Sequence, residues 1–165
     1  MLDIVNAEGR VIGSARRCEA HGNNCLLHRV VHLFVFDDRG RLLLQKRSMN
    51  KDVAAGKWDT SVGGHVNCGE SVSDALIREM GEELGITVPV APRFLYTYVH
   101  SNDHESELVY SYSLVYTGEI KFAKAEIDEI RYWEMEEIRQ LLGSGTYSDN
   151  FEHEFNNYLA LSEKL

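Results

Sequence analysis

Proline is scarce in this sequence, with only Pro89 and Pro92 among 165 residues. No Pro/Ser-rich linker, repeat or low-complexity block interrupts the chain, so a single domain over 1–165 is expected. Cysteine is also sparse. Cys18, Cys25 and Cys68 are too few, and odd in number, to form a disulfide framework, and they read as inert thiols. No apolar run approaches the roughly 18 residues of a membrane span. The opening MLDIVNAEGR has neither the basic n-region nor the apolar h-region of a secretory signal. A reducing, cytoplasmic setting follows from these absences. Basic charge is short as well: 17 Lys and Arg stand against 26 Asp and Glu, a net charge of -9. That excludes broad binding to nucleic acid, which needs a phosphate-neutralising surface, and docking on an anionic membrane. An acidic chain that handles an anionic ligand must supply positive charge locally, through a cation or a few placed Lys and Arg.

Apolar residues make up 44% of the chain, enough for a core. Residues 2–5, a turn at Ala7-Glu8-Gly9 and the run Val11-Ile12-Gly13 read as a short hairpin. The β-branched and aromatic run Val30 to Phe36, the turn Asp37-Asp38-Arg39-Gly40 and the run Arg41 to Gln45 form a second hairpin. Trp58 to Val66 is extended and ends in a Gly63-Gly64 loop. Further strands are expected at 94–99, 108–116 and 130–133, and helices at 71–84, 134–142 and 149–161. This is an α/β (α+β) pattern: a mixed sheet covered by helices on both faces.

The segment from Gly64 to Ile86 carries the chemistry. Ser71 is a good N-cap with Asp74 three residues on, and Gly85 sits where a left-handed C-terminal cap belongs. Val72, Leu76, Met80 and Leu84 recur every fourth residue, so one face packs inward. Glu79, Glu82 and Glu83 crowd another face. Like charges at these spacings destabilise a bare helix by roughly 0.2–0.5 kcal/mol per pair. Gly81 costs about 1 kcal/mol more against alanine. A bound divalent cation reverses the sign of the electrostatics, and hard carboxylate oxygens suit magnesium, which keeps some water and also ligates phosphates. The bland alternative is a solvated acidic face.

The same segment resembles the Nudix box, G-x5-E-x7-R-E-U-x-E-E-x-G-U with U bulky and aliphatic. Gly64, Glu70, Arg78, Glu79, Met80, Glu82, Glu83, Gly85 and Ile86 meet every defined position. The resemblance implies an α/β/α sandwich and hydrolysis of the diphosphate linkage of a nucleoside diphosphate derivative. It implies that Glu79, Glu82 and Glu83 hold Mg2+ (or Mn2+), that Arg78 orients a glutamate, and that Gly64 and Glu70 support the loop–helix–loop. The general base varies in the family, and Glu79 and Glu107 are the candidates. Glu107 lies ahead of a predicted strand, where its alternative is an exposed loop carboxylate.

Residues 2–120 are also similar to isopentenyl diphosphate isomerases, through the runs 28–36, 42–51 and 56–65. That resemblance implies a second metal site from His21, His28, His65, Glu105 and Glu107, and substrate diphosphate contacts from Arg47 and Lys51. Imidazoles with carboxylates could hold zinc or manganese. Two departures argue against isomerase activity. Gly63 stands where the isomerase needs a cysteine, and the full glutamate set of the hydrolase box is retained. Metal-dependent hydrolysis of a small-molecule diphosphate is therefore expected. The alternatives are an isomerase and a catalytically silent ligand-sensing domain. A homodimer is compatible with the sequence. His32, His100, His104 and His153 receive no role, and Trp58 is placed in the core rather than against a base.

Overall fold

The computed structural model describes residues 1–51, 53–87 and 91–163. Among the described residues, nine strands and four helices follow one another as β1 (Leu2–Val5), β2 (Val11–Ala15), α1 (Arg17–Ala20), β3 (Leu27–Phe36), β4 (Leu42–Arg47), β5 (Trp58–Asp59), β6 (Val62–His65), α2 (Val72–Leu84), β7 (Arg93–Ser101), β8 (Ser106–Val115), β9 (Ile127–Trp133), α3 (Met135–Leu141) and α4 (Asp149–Ser162). All the strands join one mixed sheet.

β3 is its hub. It runs parallel to β8 along its whole length, from Leu27 opposite Ser106 to Phe36 opposite Val115. On its other side it pairs antiparallel with β6, from Val30 opposite His65 to Leu33 opposite Val62. A strand flanked on both sides is buried, and from Val30 to Phe36 β3 accordingly reads as an apolar run broken only by His32 rather than as an alternation. Its side chains still alternate in direction. Val31, Leu33 and Val35 meet Leu76, Met80 and Leu84 of α2, while Phe34 meets Phe151 and Phe155 of α4. Helices thus cover both faces, as expected. Trp58 packs edge-on against Trp133 at the margin of the α4-side core, which settles it as a packing residue.

Three readings are corrected and one element is added. β3 begins at Leu27, so His28 lies inside the strand, where the parallel partner β8 extends the pairing. Gly63 and Gly64 are strand residues rather than a loop, because β3 supplies a ladder for them. Glu107 lies inside β8 rather than ahead of it, and is 8% exposed. The one-turn helix α1, too short for a periodicity, was not anticipated.

α2 is capped as its sequence dictates. The Ser71 hydroxyl accepts the Asp74 N–H, and Gly85 adopts φ +65 with Ile86 N–H returning to the Met80 carbonyl. A Cβ on Gly85 would also come within 3.1 Å of the Lys121 carbonyl oxygen. Gly85→Ala is expected to lower unfolding free energy by about 1–2 kcal/mol, the cost of a left-handed non-glycine residue, measured by urea denaturation.

Candidate functional site

β6 and α2 build the first group of side chains. A Cβ on Gly64 would lie 2.0 Å from Glu79 Cδ, so only glycine lets the Glu79 side chain lie across the strand. Arg78 is the hub of the group. Its Nε and Nη2 form a two-pronged pair with Glu70 at 2.8 and 2.9 Å. Its Nη1 donates to Glu79 at 2.6 Å and to Glu82 at 3.2 Å, and Nη2 also reaches the His65 carbonyl at 2.9 Å. Glu70 in turn accepts the Asn67 N–H, closing the loop ahead of the helix. A planar guanidinium with five donors is the side chain suited to this work.

The three glutamates of α2 do not share one environment. Glu82 is exposed, Glu79 is partly buried, and Glu83 is only 8% exposed. Glu83 Oε2 is clamped by Gln45 Nε2 at 2.9 Å and the Gly63 N–H at 3.1 Å. The glutamate trio is not among the groups of three or more ligand atoms that lie within 4.8 Å of one another in the described residues. Magnesium does not require a tighter set, since it commonly takes one or two carboxylates and completes its shell with water and phosphate. The electrostatics favour a cation. Burial pushes the Glu83 carboxyl up to about 8, helped by the charges of Glu79 and Glu126. Burial also raises Glu79, against the pull of Arg78. Arg78 holds Glu70 below the usual carboxylate range.

A second group gathers around β6, β3 and β8. Adjacent residues on a strand point to opposite faces, so His65 leaves β6 on the side away from Glu79. His21 Nε2 and His65 Nε2 converge at 2.9 Å, His21 Nδ1 lies 3.0 Å from Glu105, and His28 Nε2 lies 3.9 Å from Glu107 Oε1. The donor atoms of His21, His28 and His65 lie within 4.8 Å of one another, as do those of His28, Glu105 and Glu107. His28 Nε2 is fully buried with no hydrogen-bond partner. Such an orphaned nitrogen carries a desolvation cost that a metal ion would remove. Ion–nitrogen bonds of about 2.0–2.1 Å set neighbouring ligands roughly 3 Å apart, matching the His21–His65 approach. Burial, then the charge of Arg17, drives His65 down to about 2, and burial also lowers His28, so both rings are neutral, the form that ligates. The residues fit a divalent ion.

The cations expected at the diphosphate have protein partners here. Arg47 donates to the Val53 carbonyl at 3.0 Å and lies 3.4 Å from Asp59, and Lys51 holds Glu126 at 2.5 Å. Several residues escaped the sequence reading. Gln45 clamps Glu83, Glu126 adds negative charge to the α2 group, and Arg17 lends positive charge to the histidines. His32 forms a buried pair with Glu154 at 2.9 Å, and Ser111 donates to the other Glu154 oxygen at 2.6 Å. Burial opposes charge on His32, but Glu154 outweighs it and holds the ring at about 9. None of these contacts leaves a local pattern, because each joins residues far apart in sequence.

The NUDIX domain family profile matches residues 26–154. The chain belongs to the Nudix family. An isopentenyl-diphosphate Delta-isomerase from Halorhodospira halophila is 37% identical over 134 residues, covering 79% of this chain and 76% of that protein. An uncharacterised Nudix hydrolase from Streptomyces coelicolor is 39% identical over 102 residues, covering 62% of this chain and 56% of that one. Among solved structures, DR0079 from Deinococcus radiodurans superposes with a TM-score of 0.82 at 24% identity, over 94% of this chain and 97% of that one. The Nudix match supports an enzyme whose fold handles diphosphates, and Nudix proteins generally use divalent metals. No described helix is long and apolar enough to cross a membrane.

The Glu83 environment sets a pH dependence. A carboxyl raised from 4.5 to about 8 contributes stability below pH 4.5 that is lost as pH climbs through 8. Metal-free Glu83→Gln should therefore melt above the wild type at pH 8 and level with it near pH 5, by calorimetry. Magnesium should raise the wild-type melting temperature more at pH 8 than at pH 5, and leave the variant unmoved.

Proposed function

We propose that the chain is a metal-dependent hydrolase that cleaves the diphosphate linkage of a nucleoside diphosphate derivative or a related small molecule, by water attack at phosphorus. The Arg78 hub carries this reading. One guanidinium fixes Glu70, Glu79, Glu82 and the His65 carbonyl together, while Gln45 and Gly63 fix Glu83. Such a preorganised set of carboxylates has no value to a domain that needs only to fold, since the buried acid opposes folding at neutral pH.

In this reading Glu79, Glu82 and Glu83 hold Mg2+ or Mn2+, Gly64 and Glu70 shape the loop, and Arg78 orients Glu79. A bound magnesium neutralises the diphosphate and offsets charge developing on the leaving phosphate. Arg47 and Lys51 exchange Asp59 and Glu126 for substrate oxygens. Two carboxyls are suited to accept the proton of the attacking water, since burial raises both: Glu79, and Glu107 at about 7. His21, His28, His65, Glu105 and Glu107 form a second site for a zinc- or manganese-like ion, supported by the orphaned His28 nitrogen.

One observation favours a second reading. The assembled histidine set, together with 37% identity to a protein named as an isomerase, fits a prenyl diphosphate isomerase. Gly63 opposes it, for glycine carries no exchangeable side-chain proton, and the edge of the His32 ring lies 3.3 Å from where a Cβ would be.

A panel of nucleoside and non-nucleoside diphosphates should yield magnesium-dependent cleavage products. Glu79→Gln and Arg78→Lys should each lower kcat on the order of 100-fold, about 2.7 kcal/mol of transition-state stabilisation, with circular dichroism unchanged. Ligand binding without cleavage would point to a sensing domain. Deuterium entering isopentenyl diphosphate in heavy water would establish the isomerase instead.

A further inference from the structure

Glu107 is buried on β8, and its two oxygens face different partners. Oε1 looks toward His28 Nε2 at 3.9 Å, and Oε2 accepts a hydrogen bond from Asn150 Nδ2 at 2.8 Å. Asn150 could present either end of its amide to a carboxylate, and only the NH2 end is favourable. The ionised carboxylate, an acceptor only, selects the NH2 end, and the Tyr98 hydroxyl then donates to Asn150 Oδ1 at 2.9 Å.

The backbone beneath Asn150 is fixed as well. It lies in the first turn of α4, which is capped by the Ser148 hydroxyl on the Phe151 N–H at 3.1 Å. Phe151 and Phe155 are fully buried in the core below, and Glu154 is tied to His32 and Ser111. β8 thus presents the carboxylate, α4 holds one of its oxygens through Asn150, and β7 anchors Asn150 through Tyr98. A helix recruited only to cover a sheet would put apolar side chains here, because a buried polar chain is worth keeping only when every member is satisfied.

We propose that Asn150 is the positioning residue for Glu107: it holds Oε2 so that Oε1 is aimed at the ion shared with His28, and Tyr98 anchors the far end of the Asn150 amide. This rests on the reading of the histidine set as a divalent-ion site. Hydrogen-bond partners of metal-binding carboxylates set ligand orientation, and their loss typically weakens metal affinity 10- to 100-fold.

Cobalt(II) titration of the full chain, followed by proton NMR of the paramagnetically shifted imidazole N–H signals, reads this site separately from an all-carboxylate one. The wild type should show shifted imidazole signals that His28→Gln removes. Asn150→Ala should weaken cobalt affinity 10- to 100-fold, and Tyr98→Phe by a smaller factor, with metal-free circular dichroism unchanged. Should Asn150→Ala fail to fold, Tyr98→Phe, which removes one hydroxyl, carries the comparison. Wild-type affinity in the variants would overturn the role of Asn150 while the ion site stands. Absence of shifted imidazole signals in the wild type would overturn the ion site itself, and this inference with it.

Discussion

Negative charge held where water cannot screen it is the constraint around which this molecule is arranged. Glu83, Glu105, Glu107 and Glu154 are each at most 8% exposed. Each must be answered by a proton, a hydrogen-bond donor or a cation, since an unpaired buried carboxylate is among the most costly groups in a fold. Glu154 is answered internally by His32 and Ser111. Glu83 is answered only in part, by two neutral donors, and its raised proton affinity is the sign of what is missing. Glu107 is in the same condition. Glu83 belongs to the α2 group and Glu107 to the histidine group, the two places where a divalent ion is proposed.

β6 joins the two groups. Its four residues, Val62-Gly63-Gly64-His65, lie between them. Gly64 accommodates Glu79, the Gly63 N–H holds Glu83, and His65 contributes its ring to one group and its carbonyl to Arg78 in the other. Two consecutive glycines weaken a strand, so their presence needs a reason. Close approach by a glutamate on one side and by the His32 ring on the other supplies it. The short strand is held by β3, which explains why a segment of low strand propensity is nevertheless paired.

The two levels of structure differed in how far the sequence disclosed them. α2 was legible in detail because its determinants are local: a cap at Ser71, a stop at Gly85 and an apolar period between them. The motif singles out Arg78, Glu70 and Gly64, and the structure gives each a contact: Arg78 with Glu70 and Glu79, and Gly64 with the Glu79 side chain. The helical spacing makes Glu83 one of three equivalent face residues, yet it is buried, since the core stripe of α2 widens to include it beside Met80 and Leu84. The strand start at Leu27, the pairing of Gly63 and the burial of Glu107 all depend on parallel or antiparallel partners distant in the chain, which no window of sequence contains. His32 leaves no local signal for the same reason: its partner Glu154 is 122 residues away.

The central claim is that the α2 carboxylates hold a divalent ion in contact with a diphosphate. Its most direct test is a crystal structure with Mn2+ and a methylene-bridged nucleoside diphosphate analogue, read by anomalous scattering at the manganese edge. An anomalous peak is expected within bonding distance of Glu79 or Glu83 and of an analogue oxygen. Manganese confined to the histidine group, with the analogue bound and the α2 carboxylates bare, would contradict it.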